Sequence, residues 1–238
     1  MKKLKNVFAM IPARLGSQRL KKKNLKLVGG KALIEHAILS AKKANIFDKI
    51  IVNSEANVFK KFSDKYDVDF YKRNKKYASN FASSDLVVKD FFDNFSNANI
   101  LVWVNTTTPF LSSKEIVKIV NWFIKKKNQA DTLITTEKKY AHANFNKKPL
   151  NYKKNSKFAR TQDLQPIEFC NYALMIWRKK SFLKSYKRYK SGILSGKVVF
   201  YPIYGLSTLM VKKIEDLELA DFIMKNKNLK KSKIFRKI

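Results

Sequence analysis

Cysteine, histidine, acidic side chains and long apolar runs are all scarce in this sequence. A single cysteine among 238 residues, Cys170, excludes an intramolecular disulfide and leaves no thiol pair for a structural zinc site, which fits a reducing, cytoplasmic setting. Two histidines, His36 and His142, make no metal-ligand spacing. The longest stretch without a charge, 94–113, holds four Asn, three Thr and three Ser, and the cost of desolvating them excludes a membrane span. The apolar run at 7–12 is too short for a signal-peptide core and is expected to be a first strand. Only 18 Asp and Glu oppose 51 Lys and Arg, leaving a formal charge of +33.

What is present excludes disorder: 45% hydrophobic and 13% aromatic residues are ample for a large core. The cations divide as 44 Lys to 7 Arg and spread evenly along the chain. A reader of nucleic acid would concentrate Arg on one face, because the planar guanidinium makes paired bonds to bases and phosphates, so a nucleic-acid partner is disfavoured. The lysine-dense stretch 225–237 is expected to be a solvated tail.

Apolar and β-branched runs at 7–11, 50–52, 68–71, 100–104 and 132–135 alternate with helix-period segments near 32–45, 55–66, 84–95 and 113–127. Beyond an irregular excursion at 138–168, strands are expected at 169–177 and 198–204, with helices reaching 189 and spanning 214–225. This rhythm predicts an α/β fold with a mostly parallel sheet covered by helices, and ligands in such sheets bind beyond the carboxyl ends of the strands. One domain over 1–225, with its lobe at 138–168 and a basic tail at 226–238, is the expected organisation.

Directly after the first strand comes Ile11-Pro-Ala-Arg-Leu-Gly-Ser-Gln-Arg-Leu-Lys-Lys-Lys-Asn-Leu, with Gly29-Gly30 shortly before the first long helix. Neither a Walker loop nor a dinucleotide fingerprint is present. The loop nevertheless suits a polyphosphate: Gly16 lets the backbone approach phosphate oxygens, Ser17 offers a hydroxyl, and Arg14 with the lysines supplies neutralising charge.

In these residues the chain resembles the acylneuraminate (CMP-sialic acid) cytidylyltransferases, whose opening motif is Ile-Pro-Ala-Arg-x-Gly-Ser followed by Lys-Asn. Further segments follow in family order: Tyr77-Ala-Ser-Asn-Phe-Ala-Ser-Ser84, Val104-Asn-Thr-Thr-Thr-Pro-Phe110, Arg160-Thr-Gln-Asp-Leu-Gln-Pro166, Asn171-Tyr-Ala-Leu and Glu215-Asp-Leu-Glu-Leu-Ala220. The resemblance implies a Rossmann-like nucleotidyltransferase fold with a small protruding dimerisation lobe, a homodimer, and transfer of CMP from CTP to a nonulosonic sugar acid with release of pyrophosphate. It assigns Arg14, Ser17 and Lys23 to the triphosphate, with Asn24 beside them and Gly16 in the same nucleotide-binding loop, and makes Arg14 and Lys23 the catalytic pair. It assigns Arg73, Ala82 and Ser84 to the cytosine, and Asn105, Arg160 and Asn171 to the sugar acid. It also implies Mg²⁺.

The family's Asp-Ile-Asp metal ligands fall on Met210-Val211-Lys212 here, so the metal site is unassigned. Three accounts are open: Glu215 or Asp216 substitutes, Lys212 replaces part of the metal's charge, or turnover is impaired in a chain that still binds nucleotide. A polyanion binder is the remaining alternative, of another class. Tyr172 replaces a glycine and is expected to reshape the sugar pocket, together with Met175. His36 is expected to be a packed helical residue, His142 is open between lobe packing and a sugar contact, Cys170 is expected to be buried, and Trp103, Trp122 and Trp177 to be core residues without a ligand role. Glu215, Asp216 and Glu218 are expected to stabilise the start of the last helix.

Overall fold

In β1 (Leu4–Pro12), Val7, Ala9 and Ile11 join one hydrophobic cluster while Phe8 and Met10 join another. Successive side chains of a strand point to opposite faces, so a strand covered on both sides needs an unbroken apolar run, as this one has. The same two-faced pattern recurs in β6 (Ile100–Val104) and in the second half of β10 (Ile167–Arg178). The computed structural model describes residues 3–79 and 81–226; the tail expected beyond 226 lies outside the described residues.

A seven-stranded sheet runs through the molecule in the order β11 (Val198–Pro202), β7 (Thr132–Lys139), β10, β6, β1, β4 (Phe47–Ser54), β5 (Asp69–Lys72). β1 pairs in parallel with β4 and β6, β4 with β5, and β7 with β11, whereas β10 is antiparallel to both neighbours. The sheet is therefore mixed and mostly parallel. On one face lie α1 (Leu33–Ala44), α2 (Lys60–Tyr66) and α4 (Ser113–Lys125); on the other lie α3 (Ser84–Asn94) and α5 (Lys179–Tyr189). This is an α/β fold, a mostly parallel mixed sheet flanked by helices on both faces, as expected.

Helix starts follow their sequence signals. Ser112 and Glu115 form a reciprocal capping box on α4, with Glu115 N donating to Ser112 Oγ at 3.2 Å and Ser112 N to Glu115 Oε2 at 3.0 Å. Asp216 caps α6 (Ile214–Lys225) by accepting from the amides of Lys212 and Lys213 at 2.8 and 2.9 Å. That helix packs Leu217 and Ala220 against Leu20, Val28 and Leu33, which makes a third cluster beneath the basic loop. A short ribbon, β2 (Leu27–Val28) with β3 (Lys31–Ala32), joins loop to α1, and its turn is pinned by a bond from Gly29 N to Asp221 Oδ1 of α6 at 2.8 Å. Glycine is required at 29: φ is +56°, and a Cβ would lie 2.2 Å from Met224 Cγ.

The excursion after β7 holds a two-residue hairpin, β8 (Asn144–Phe145) and β9 (Lys148–Pro149), turned by Asn146 and Lys147 at positive φ. His142 packs there, stacked on Phe158 with ring centroids 4.1 Å apart. His36 bonds through Nε2 to the Val28 carbonyl at 2.8 Å, as a packed helical residue would.

Three expectations need correction. The helix expected at 55–66 begins as a short 3₁₀ turn, and α2 proper starts at Lys60. Cys170 is exposed, because the first half of β10 pairs only with β7 and β6 joins from Leu174 onward, leaving that half without cover on its other edge. Trp177 is fully buried, as expected, but Trp103 is only half-buried and faces the cavity described below.

Candidate active site

From β1 the chain proceeds through α1 to β4 on one side, and later returns through β6 on the other. The carboxyl end of β1 is thus a point where the strand order reverses, and a crevice opens there because the neighbouring connections diverge. The basic loop leaves β1 at this place. A cavity of about 350 Å³ beside it is lined by Arg14, Ser17, Arg19, Lys23 and Asn24 from the loop, Arg73 after β5, Ala82 and Ser84 at the start of α3, and Trp103, Asn105 and Thr106 at the end of β6. Eight of the residues singled out in the sequence therefore meet around one space. Gly16 belongs to the same loop but not to the lining, and no atom lies within 4 Å of where its Cβ would be.

Several of these side chains hold the cavity's shape. Asn24, 6% exposed, donates to the Arg14 carbonyl at 3.0 Å and accepts from Thr106 Oγ1 at 2.7 Å, which ties the loop to the end of β6. Arg14 Nη1 reaches the Ser79 carbonyl at 3.3 Å. Asn105 Oδ1 accepts from the Thr107 amide at 3.1 Å while its Nδ2 donates to the Tyr172 carbonyl at 3.2 Å. Glu55, directly after β4, accepts from Leu15 N at 2.8 Å with one oxygen and from Arg73 Nη2 at 3.1 Å with the other. One carboxylate thus positions both the loop and a nearly buried guanidinium.

Lys23 shows the electrostatics most directly. Burial pushes its ammonium below the ordinary lysine value and the charges of Arg19 and Arg14 push the same way, while Asp216 pulls back by more than Lys212 adds. Its neighbours Arg19 and Arg14 thus add a positive field to the effect of burial. Burial likewise lowers Arg73, opposed by its Glu55 partner.

A second cavity of about 640 Å³ adjoins the first and shares Arg19 with it. Glu137, Lys139, Phe169, Cys170, Asn171, Met210, Lys212 and Asp216 contribute to its wall. Asn171 is here rather than in the first cavity, with Nδ2 donating to the Thr208 carbonyl at 2.7 Å and Oδ1 accepting from Ala173 N at 3.1 Å. Arg160 reaches neither cavity: it is exposed in the lobe and paired with Asp163 at 2.8 Å, three residues on, in a 3₁₀ turn. Tyr172 adopts φ of 58°, the left-handed conformation natural to a glycine, yet its ring lines neither cavity, and Met175 is buried in the core.

The donor set of the first cavity does not fit a protein-held Mg²⁺. That ion takes hard oxygen ligands, usually one or two carboxylates besides substrate phosphates. No carboxylate lines the first cavity; on the wall of the second, Met210 and Lys212 stand beside Glu137, which lies 3.7 Å from Lys139, and Asp216, which caps α6 through Oδ2. No group of three or more His, Cys, Asp or Glu able to hold a metal occurs among the described residues.

Arg19, Glu55 and Trp103 were not singled out as site residues from the sequence. Glu55 and Trp103 sit directly beyond or at the carboxyl end of a strand of the parallel core and Arg19 lies in the loop that follows one, and strand-end position is the signal that could have found them. Trp103 Nε1 is buried without a hydrogen-bond partner among the described residues.

Residues 8–228 match a family model described as cytidylyltransferase. The N-acylneuraminate cytidylyltransferase of Escherichia coli O18:K1:H7 (strain RS218 / NMEC) is 25% identical over 98% of this chain and 55% of its own length; the chain spans about half the length of several such curated relatives. The post-translational flagellin modification protein B of Campylobacter coli is 25% identical over 95% of this chain and 98% of its own. Among solved structures, a CMP:2-keto-3-deoxy-manno-octonic acid synthetase complexed with CTP superposes with a TM-score of 0.67 at 14% identity, covering 93% of this chain and 99% of that one. Among the described residues no helix is long and apolar enough to cross a membrane. With a family match over nearly its whole length, the chain belongs to the cytidylyltransferase family.

Proposed function

We propose that this chain transfers CMP from CTP to a nonulosonic, sialic-like sugar acid. The observation that carries the reading is the cationic cavity at the carboxyl end of β1, where Arg14, Ser17 and Lys23 converge and adjoin a second space through Arg19. The nucleotide occupies the first cavity, with its triphosphate at the junction by Arg19 and Lys212, and the acceptor occupies the remainder of the second. The anomeric hydroxyl oxygen attacks the α-phosphorus, the bond from that phosphorus to the bridging oxygen breaks, pyrophosphate leaves, and the hydroxyl proton passes to solvent. Positioning of the two substrates and stabilisation of charge on the leaving group by Arg14 and Lys23 supply the rate. Asn171 and Arg19 face the acceptor; Arg160 serves it only if the lobe moves. In this reading two copies of the chain associate through the lobe, whose Phe145, Leu150 and Phe158 are exposed.

Pyrophosphate release from CTP in the presence of Mg²⁺ and a panel of nonulosonic acids tests the activity. Release with one acid or a few is expected, and silence across the panel from folded protein contradicts turnover. The replacement of two carboxylates by Met210 and Lys212 favours a second reading, a family member that holds nucleotide without turning it over. Calorimetry separates the two, because such a chain still binds CTP.

A further inference from the structure

We infer that the triphosphate of CTP is held here without a protein-bound divalent cation, its charge being met by Arg14, Arg19, Lys23 and Lys212 acting together. The inference rests on the cytidylyltransferase reading and concerns how this chain carries it out.

Lys212 is fixed beside the loop by backbone contacts. Val211 N donates to the Thr107 carbonyl at 2.8 Å, and the Lys212 amide is capped by Asp216. Val211, Leu217 and Ala220 pack against Leu20, Val28 and Leu33, while Asp221 accepts from Gly29 N. The segment before α6 is thereby anchored to both ends of the basic loop, and the exposed Lys212 side chain joins Arg19 on the wall of the second cavity. Arg19 lines both cavities, so the cations form a continuous arc from Arg14 to Lys212.

The arc suits an anion and repels a cation. A divalent ion entering beside Lys23 would meet Arg14, Arg19 and Lys212. On the carboxylate side it would meet Asp216, whose Oδ2 already caps α6, and Glu137, which lies 3.7 Å from Lys139. A nucleoside triphosphate instead brings about four negative charges. The lowered proton affinity of Lys23 agrees in direction: burial is its largest cause, Arg19, Arg14 and Lys212 add to it, and Asp216 opposes them. An ammonium cannot act as a Lewis acid at phosphorus, but it can offset charge on the leaving pyrophosphate.

Calorimetric titration of the full chain with CTP, once in EDTA and once in Mg²⁺, provides the test. Binding of comparable affinity in both is expected. Lys212→Ala weakens the binding in EDTA by about tenfold, as loss of a charge-assisted contact should, and Lys212→Arg retains it. The alanine variant is expected to fold, because Asp216 caps the backbone and not the lysine side chain. Binding that appears only with Mg²⁺ overturns the inference and leaves the proposed function standing, as does unchanged EDTA affinity in folded Lys212→Ala. Absence of CTP binding in both buffers removes the proposed function as well.

Discussion

At the scale of single residues, Lys23 and Glu55 carry opposite kinds of stress. Lys23 is charged where charge is disfavoured, so its folded-state pKa lies below the unfolded value of 10.5. Between those two values the unfolded chain binds more protons than the folded one, and stability therefore rises with pH through that window. CTP reverses the preference by favouring the protonated ammonium, so nucleotide affinity falls as pH climbs through the lowered pKa. A calorimetric pH series with parallel melts checks both signs, and a flat affinity profile up to the ordinary lysine range contradicts the second. Lys23→Ala is accordingly expected to weaken CTP binding while leaving the melting temperature unchanged or raised; equal losses of both contradict its place in the site. Glu55 is the reverse case, since removing it strands a guanidinium that is 4% exposed. Glu55→Ala should cost about 3 kcal/mol in denaturant melts, the order seen when one partner of a buried pair is deleted.

At the scale of elements, the site depends on which helix ends are tied to which neighbours. Glu35 sits in the first turn of α1, accepts from Ala32 N at 2.7 Å, and takes further bonds from Lys65 Nζ at 2.7 Å and Tyr66 Oη at 2.6 Å on α2. Burial alone would raise its carboxyl, but these donors outweigh burial and hold it below the usual glutamate value of 4.5. A depressed carboxyl contributes stability above the unfolded pKa and loses it as pH falls through the folded one. The stability gap between the parent chain and Glu35→Gln should thus narrow in acid, and thermal melts at stepped pH measure it. A gap that stays constant below pH 4.5 would show that the hydrogen bonds, and not the charge, hold the two helices together. α6 illustrates the same dependence: its capping aspartate was legible as a helix-start signal, but its docking on the loop at Leu20 and Val28 was not.

At the scale of the whole molecule, a formal charge of +33 works against compactness, because like charges on one surface repel. Raising salt shortens the range of that repulsion, so the melting temperature is expected to rise between low and moderate ionic strength. A fall would mean that ion pairs such as Lys65 with Glu35 outweigh the general repulsion. The same charge draws polyanions without selecting among them, whereas the arc at Arg14, Arg19, Lys23 and Lys212 is local and adjoins shaped cavities.

The sequence alone determined the alternation of strands and helices, since apolar periodicity and turn chemistry are local properties. It also marked the loop at 12–24, because Arg14, Ser17 and Lys23 are neighbours along the chain and their composition is itself the signal. Arg73, Ala82, Ser84 and Asn105 were legible only through family resemblance. Tertiary structure alone decided that Glu55 would join Leu15 to Arg73, that Arg160 would stay in the lobe, that Cys170 would lie exposed, and that Lys212 would stand by Lys23. Those outcomes follow from strand order and from the docking of α6, whose bond to Gly29 joins residues 192 apart in the chain. Contacts between segments so distant arise from the packing of whole elements, and no local pattern of residues encodes them.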